Sequence, residues 1–265
     1  MGASAIRVLV ALAPAALPAA YLAYLGSELA RKTVVEAGVS PPGSVFGGER
    51  DLLPEDVLDE RDQFVVAREC VTSLPVPVTS LRMEVVAKGD AGQGQGQGLL
   101  EDYLSATMCA FAWTPQALIM SYMGSGLSDP DGYRRTFEAR YLKGCRFRVG
   151  DRVCGVYVVR GRREGRAVLG LSPPPGWKGP VVTGALNVGF DLIGEGDRVK
   201  LVNETVLWRR VSEKPTLLEG GVGRRLHTLM VSWLVVKGIG AVTWEYDFQF
   251  SLIISADPGM YICSA

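Results

Sequence analysis

The sequence predicts an α+β domain, an antiparallel sheet followed by one long helix, with a hydrophobic helix ahead of it at the N-terminus. Three observations carry this. From Cys145 onward, short alternating runs separated by turn residues end in two longer runs, 181–193 and 199–210, joined by the four-residue turn Gly194-Glu195-Gly196-Asp197. Beyond them, Leu226, Leu229, Met230, Trp233 and Leu234 recur at helical spacing and need a sheet face to bury against. At the other end, residues 8–25 (VLVALAPAALPAAYLAYL) form an 18-residue run without a charge.

That run, preceded by Arg7 and followed by Glu28, Arg31 and Lys32, would span about 27 Å as a helix, close to a bilayer core of roughly 30 Å. Tyr21 and Tyr24 stand where interfacial aromatics belong, and membrane helices tolerate prolines such as Pro14 and Pro18. An uncleaved anchor within residues 1–33 is the first expectation. A signal peptide is the second, although the small-residue pairs fall inside the apolar core rather than after it. A hydrophobic helix packed on the protein's own core is the third. The corresponding locations are a secretory-pathway membrane or, after cleavage, secretion; the flanking charges leave the orientation open.

Residues 34–54 contain the Pro/Gly/Ser-rich stretch GVSPPGSVFGG and read as a linker. A single domain is expected over 55–243. It opens with a short amphipathic helix over 55–69 started by Pro54, and a strand over 81–87. Residues 88–98 (KGDAGQGQGQG) are a flexible Gly/Gln loop whose glycines give no dinucleotide fingerprint. Helices over 99–113 and 116–123 are separated by Thr114-Pro115, a cap followed by proline at the first helical position. Met108, Phe111, Trp113, Leu118, Met120 and Met123 make this region apolar, as core or as a flexible wall of a lipophilic pocket. Strands are expected at 147–149, 151–160 and 167–171. In the strand 181–193, Leu186, Val188, Phe190 and Leu192 face a core while Asn187 and Asp191 face water. Thr216 and Glu219 match a capping box; the helix is expected to firm near Gly223 and stop at Lys237-Gly238. Residues 244–265 form an atypical tail.

Composition excludes several functions. With 28 Lys+Arg against 28 Asp+Glu the chain lacks the basic excess of a nucleic-acid binder, so no nucleic-acid partner is expected. A single histidine, His227, precludes two-histidine zinc motifs and histidine acid/base pairs. Five scattered cysteines without a CxxC pair argue against a disulfide scaffold or a Cys-rich metal site, so no metal is expected, although Cys145 and Cys154 would pair if their strands were neighbours.

Two residues are candidates for catalysis. Period two along the strand 199–210 places Glu204 with Val202, Val206 and Trp208, and a carboxylate on such an apolar face would be desolvated and raised toward the range of a neutral-pH acid or base. A salt bridge to Arg209, Arg210 or an arginine near residue 160 is the competing reading. His227 lies on the flank of the helical stripe, where a solvated or hydrogen-bonded imidazole competes with a catalytic one. Asn203 heads a glycosylation sequon usable only in a lumenal domain. Arg160, Arg162, Arg163 and Arg166 form either a solvated turn or a patch for anionic headgroups. Ser125 lacks the GxSxG context of a nucleophile elbow.

The segments GCRFRVGDRVCGVYVV, LSPPPGW, NETVLWRR and GRRLHTLMVSWLVVKGIGAVT together resemble poorly characterised fungal proteins of natural-product gene clusters. The order of elements is similar to that of helix-grip, START-like domains, in which a curved antiparallel sheet wraps a long C-terminal helix around a lipophilic cavity. The resemblance covers under half of the chain and brings no catalytic motif. It implies a membrane-tethered accessory enzyme of secondary metabolism, a cofactor-independent cyclase or isomerase acting on a lipophilic polyketide or terpenoid, with pathway enzymes as partners. Val188, Phe190, Trp208, Met230 and Trp233 would line its pocket. A noncatalytic module that binds a lipid, a lipophilic small molecule or a partner is the alternative, and an acyl-thioester hydrolase is a third.

Overall fold

The computed structural model describes residues 20–45, 47–82, 96–163, 165–179 and 181–244. Residues 20–30 are helical (α1) and lead into β1 (Thr33–Ser40); α2 (Glu55–Asp59), β2 (Phe64–Ser73) and the two-residue β3 (Val76–Pro77) follow. Four helices come next: α3 (Gly96–Phe111), α4 (Pro115–Met123), α5 (Pro130–Arg135) and α6 (Ala139–Gly144). The chain then forms β4 (Arg152–Val153), β5 (Tyr157–Arg163), β6 (Arg166–Leu171), β7 (Thr183–Ile193) and β8 (Arg198–Arg210), and closes with α7 (Gly221–Val242). The strands make one open antiparallel sheet in the order β1-β2-β8-β7-β6-β5-β4, with β3 also on β8. The α+β class and the long C-terminal helix agree with the sequence pattern.

Both faces of the sheet are covered. On one, α3 and α7 bury a core that includes Val71, Tyr103, Leu104, Val188, Phe190, Leu201, Leu234 and Ile239. On the other, Leu53 and Val57 lie over Phe64, Val66, Ala185, Val206 and Trp208. This second core corrects the linker expected over 34–54: residues 33–40 are an edge strand and the region of Leu53 is a cover. The edge strand has no buried face, with Val34, Val35 and Val39 about 40% exposed, and is held by backbone pairing with β2 throughout.

Further boundaries differ from the sequence reading: the helix expected over 55–69 ends at Asp59, and residues 64–69 belong to β2, buried at Phe64 and Val66. No strand forms at 147–149, because Phe147 adopts φ +48° to turn its ring into the core. Residues 151–160 are divided by a turn at Cys154 and Gly155, so that β4 folds back on β5. The last helix passes through Gly238 instead of stopping there. A Cβ at Gly238 would sit 2.2 Å from Tyr103 Cε2, so this glycine is a notch for close approach of α3, not a terminator. The expected strand at 81–87 retains an isolated bridge, Leu81 to Thr243, and residues 83–87 lie outside the described residues.

Among the described helices, one, Gly221–Val242, is long and apolar enough to cross a membrane, and 44% of its most apolar window is buried within the protein. Val231, Leu234, Val235, Ile239 and Val242 commit one side of it to the core. Of the N-terminal apolar run, residues 8–19 lie outside the described residues, as do 245–265 of the tail. Residues 20–25 are helical with Tyr21, Leu22 and Tyr24 exposed, while Leu29 beyond them is buried.

Gly238→Ala is expected to lower stability by about 1–3 kcal/mol, since Tyr103 and α7 must separate to admit the methyl group. Chemical denaturation of the variant against the parent protein measures this.

Candidate functional site

Glu204 sits at the centre of the sheet on the face turned away from α7. Its Oε1 accepts from Arg68 Nε at 2.6 Å and its Oε2 from Asn187 Nδ2 at 3.0 Å. Register explains this: Asn187 is directly opposite on β7, and Cys70, two residues from Arg68, is opposite on β2. Glu204 is therefore an ion-pair partner of Arg68, an arginine the sequence reading did not pair with it. Its face also carries Val202, Val206 and Trp208, the last two covered by Leu53 and Val57.

The second candidate, His227, joins a group that sequence reasoning missed. Glu69 on β2 points toward α7 with no exposed side-chain surface. His227 Nδ1 lies 2.7 Å from its Oε1, and the Thr228 hydroxyl donates to its Oε2. A carboxylate only accepts, so the pairing places a proton on Nδ1 and leaves Nε2 outside the pair. His227 and Thr228 are neighbours on the helix, and the group ties α7 to the sheet where the apolar stripe gives way to Arg224 and Arg225. A single Glu inside the apolar–polar mixture ARECVTS was the only available signal.

The five expected pocket residues are divided between the two faces. Val188 and Phe190 belong to the core under α7, and Met230 and Trp233 pack at its edge. Trp208 points to the opposite face, against Val57 and Phe64. They do not line one pocket, because β8 presents Leu201 to α7 and Trp208, an odd number of residues away, to the other side. Asn203 is 2% exposed, so the folded chain does not offer its amide to a glycosyltransferase. Cys70, Cys109, Cys145 and Cys154 are free thiols, which leaves the Cys145–Cys154 disulfide unformed. Burial pushes Cys145 up to about 11, so it is a protonated thiol at neutral pH.

The surface tells more than the interior. Residues 103–128 contain no charged side chain. Tyr103, Leu104, Met108 and Phe111 use this in the core, and Met120 packs against it. Trp113, Leu118, Ile119 and Tyr122 instead stand 54–79% exposed on and beside α4. The Thr114 hydroxyl caps α4 by accepting from Ala117 N–H at 3.3 Å. Tyr133 fastens the helix from below, its ring in a slot where a Cβ at Gly124 or Gly155 would come within 2.1 or 2.4 Å. Burial pushes the Tyr133 phenol up to about 12, so it stays a donor, to the Met120 carbonyl at 3.1 Å. α4 is thus a rigidly held helix with an uncharged outer face. Ile119 and Tyr122 were not singled out from sequence, although the 26-residue absence of charge was there to be read.

No family model matches the chain, and neither a curated protein nor a solved structure matches it.

Glu69→Ala is expected to cost about 3 kcal/mol in chemical denaturation, because it strips a partner from a buried, hydrogen-bonded group. A pH dependence comes from Glu219, held below the ordinary carboxylate value of 4.5 chiefly by its hydrogen bonds to Arg209. A depressed folded value favours the ionised form in the fold, so this stabilisation is complete above 4.5 and is lost as pH falls through the lower folded value. Glu219→Gln is expected to flatten the acid limb of the stability profile, read as unfolding temperature against pH.

Proposed function

We propose that this chain is a noncatalytic binding module that works at a membrane surface, with α4 as its lipid-contacting element and the N-terminal apolar run as a tether. The carrying observation is the exposure of Trp113, Leu118, Ile119 and Tyr122 on and just ahead of a helix without charge. An exposed apolar patch of this kind marks an interaction surface, and Trp and Tyr favour the headgroup boundary, where one end of the ring is apolar and the other wet. The expected reacting groups support the same reading, since Glu204 is engaged by Arg68 and Asn187 and lies across the sheet from His227. An antiparallel sheet closed by a long C-terminal helix supports the helix-grip assignment as part of this proposal.

The accessory-enzyme reading is favoured by one observation, the sole imidazole oriented through Nδ1 by a buried carboxylate, an arrangement that suits a general base. If it holds, His227→Gln abolishes product formation in the host organism and an upstream metabolite accumulates. An unaltered metabolite profile in a folded variant removes it.

For the membrane reading, the full chain is incorporated into vesicles whose acyl chains carry bromine, and tryptophan quenching is compared with that of Trp113→Phe. Trp113 is expected to supply the largest share of the quenching, and Ile119→Glu to remove that share by placing a charge at the contact. Burial of the ring is worth roughly 2 kcal/mol, about 30-fold in partition. Equal quenching in parent and Trp113→Phe would sink the proposal.

A further inference from the structure

A cleft of about 720 Å³ opens between α5, α6 and the loop that follows them. It is lined by Arg135 of α5, Arg140 and Tyr141 of α6, and Arg146 and Arg148 of the loop that follows, with Glu138 and Asp151 as its carboxylates. Asp151 is occupied within the loop: its Oδ2 accepts from Arg148 N–H at 2.8 Å and from the Cys145 thiol at 3.5 Å. Arg146 lies 3.4 Å from Glu101, and Arg135, Arg140 and Arg148 make no ion pair among the described residues. Across residues 129–152, seven basic residues stand against four acidic ones, immediately after the uncharged stretch.

The loop is built to present these charges. Phe147 is fully buried at φ +48°, a left-handed conformation that a bulky residue rarely adopts. Its ring anchors the loop in the core while Arg146 and Arg148 on either side of it are exposed. Cys145 Sγ accepts from Phe147 N–H at 3.4 Å, and Tyr141 donates to the Arg152 carbonyl at 2.9 Å, which holds both walls. The cleft is joined to α4 through α5, where Arg135 is two residues from Tyr133 and Tyr133 bonds Met120. Three exposed arginine side chains without ion pairs among the described residues, Arg135 and Arg140 on helices and Arg148 on the strained, pinned loop, suit an oxyanion with several acceptor oxygens, since guanidinium forks match phosphate geometry.

We infer that this arginine cleft is the headgroup site of the membrane-docking face, taking the phosphate of an anionic lipid while α4 meets the acyl region. The inference rests on the membrane reading above and adds the lipid class. The occupant is a membrane lipid rather than a free phosphate, because α5, which carries Arg135, is fastened through Tyr133 to the uncharged α4 segment.

The test uses the full chain in vesicles of phosphatidylcholine alone and of phosphatidylcholine with phosphatidylserine or a phosphoinositide. The readouts are modification of individual arginines by a dicarbonyl reagent, located by mass spectrometry, and quenching of Trp113 by brominated acyl chains. Anionic lipid is expected to slow modification of Arg140 and Arg148 at least roughly fivefold, the scale of one basic side chain at an anionic surface. In Arg148→Gln, protection of Arg140 is expected to fall while Trp113 quenching persists. Trp113 quenching with no lipid-dependent protection of these arginines would overturn the headgroup site and leave the membrane reading standing. Loss of Trp113 quenching in all vesicles would remove both. Protection by soluble inositol hexakisphosphate in phosphatidylcholine vesicles, without protection by anionic lipid, would overturn the choice of a lipid.

Discussion

The structure depends on seating one long helix against β1, β2 and β8, at one end of an antiparallel sheet. α7 has an apolar stripe that water rejects, and β2 and β8 present the matching face, but that face also carries Glu69, whose side chain is wholly buried. A buried carboxylate without partners would cost more than the surrounding apolar contacts return. His227 and Thr228 supply those partners from the helix, so polar satisfaction and apolar burial are met in a single docked position. Gly238, farther along, lets α3 approach until Tyr103 touches the helix backbone, and the two helices then cover the sheet together. Register along α7 is set at both ends, by hydrogen bonding at one and by steric fit at the other.

The second face shows why a central strand can be nearly continuous in burial. β8 is buried from Leu201 through Trp208, so alternation does not divide it into a wet and a dry side. One side meets α7; the other meets Leu53 and Val57 near Trp208 and the Arg68–Glu204–Asn187 group farther along. The carboxylate in the sheet centre is paired because its cross-strand neighbours are polar, and those neighbours are chosen by strand order. With both faces committed to packing or pairing, the surface is where the chain retains unmatched chemistry: the aromatic face of α4 and the arginine cleft of α5 and α6.

Much of the fold was legible locally. The hairpin of β7 and β8, the cap at Thr114, the core-facing Val188 and Phe190 and the apolar stripe of α7 all follow from periods and turn residues, which act over a few positions. Glu69, the Arg68 partner of Glu204, the division of Trp208 from Val188 and the passage of α7 through Gly238 were not legible. Each depends on which strand or helix lies alongside, and those partners are separated by up to 159 residues. Trp208 is separated from Val188, Phe190, Met230 and Trp233 for the same reason: parity along one strand tells which residues share a face, but not which of two faces a helix will cover.

By itself, then, the sequence determined the class of the fold, the strand grammar after Cys145, the uncharged stretch and the restriction of imidazole chemistry to His227. These are properties of composition and short-range periodicity, and no folding is needed to read them. The tertiary structure decided that His227 serves Glu69, that Glu204 serves Arg68, and that Trp113 and Tyr122 face outward while Tyr103 and Phe111 face inward. Such outcomes depend on long-range pairing, because a side chain acquires a partner, or is left without one, only when distant segments compete for the same buried space.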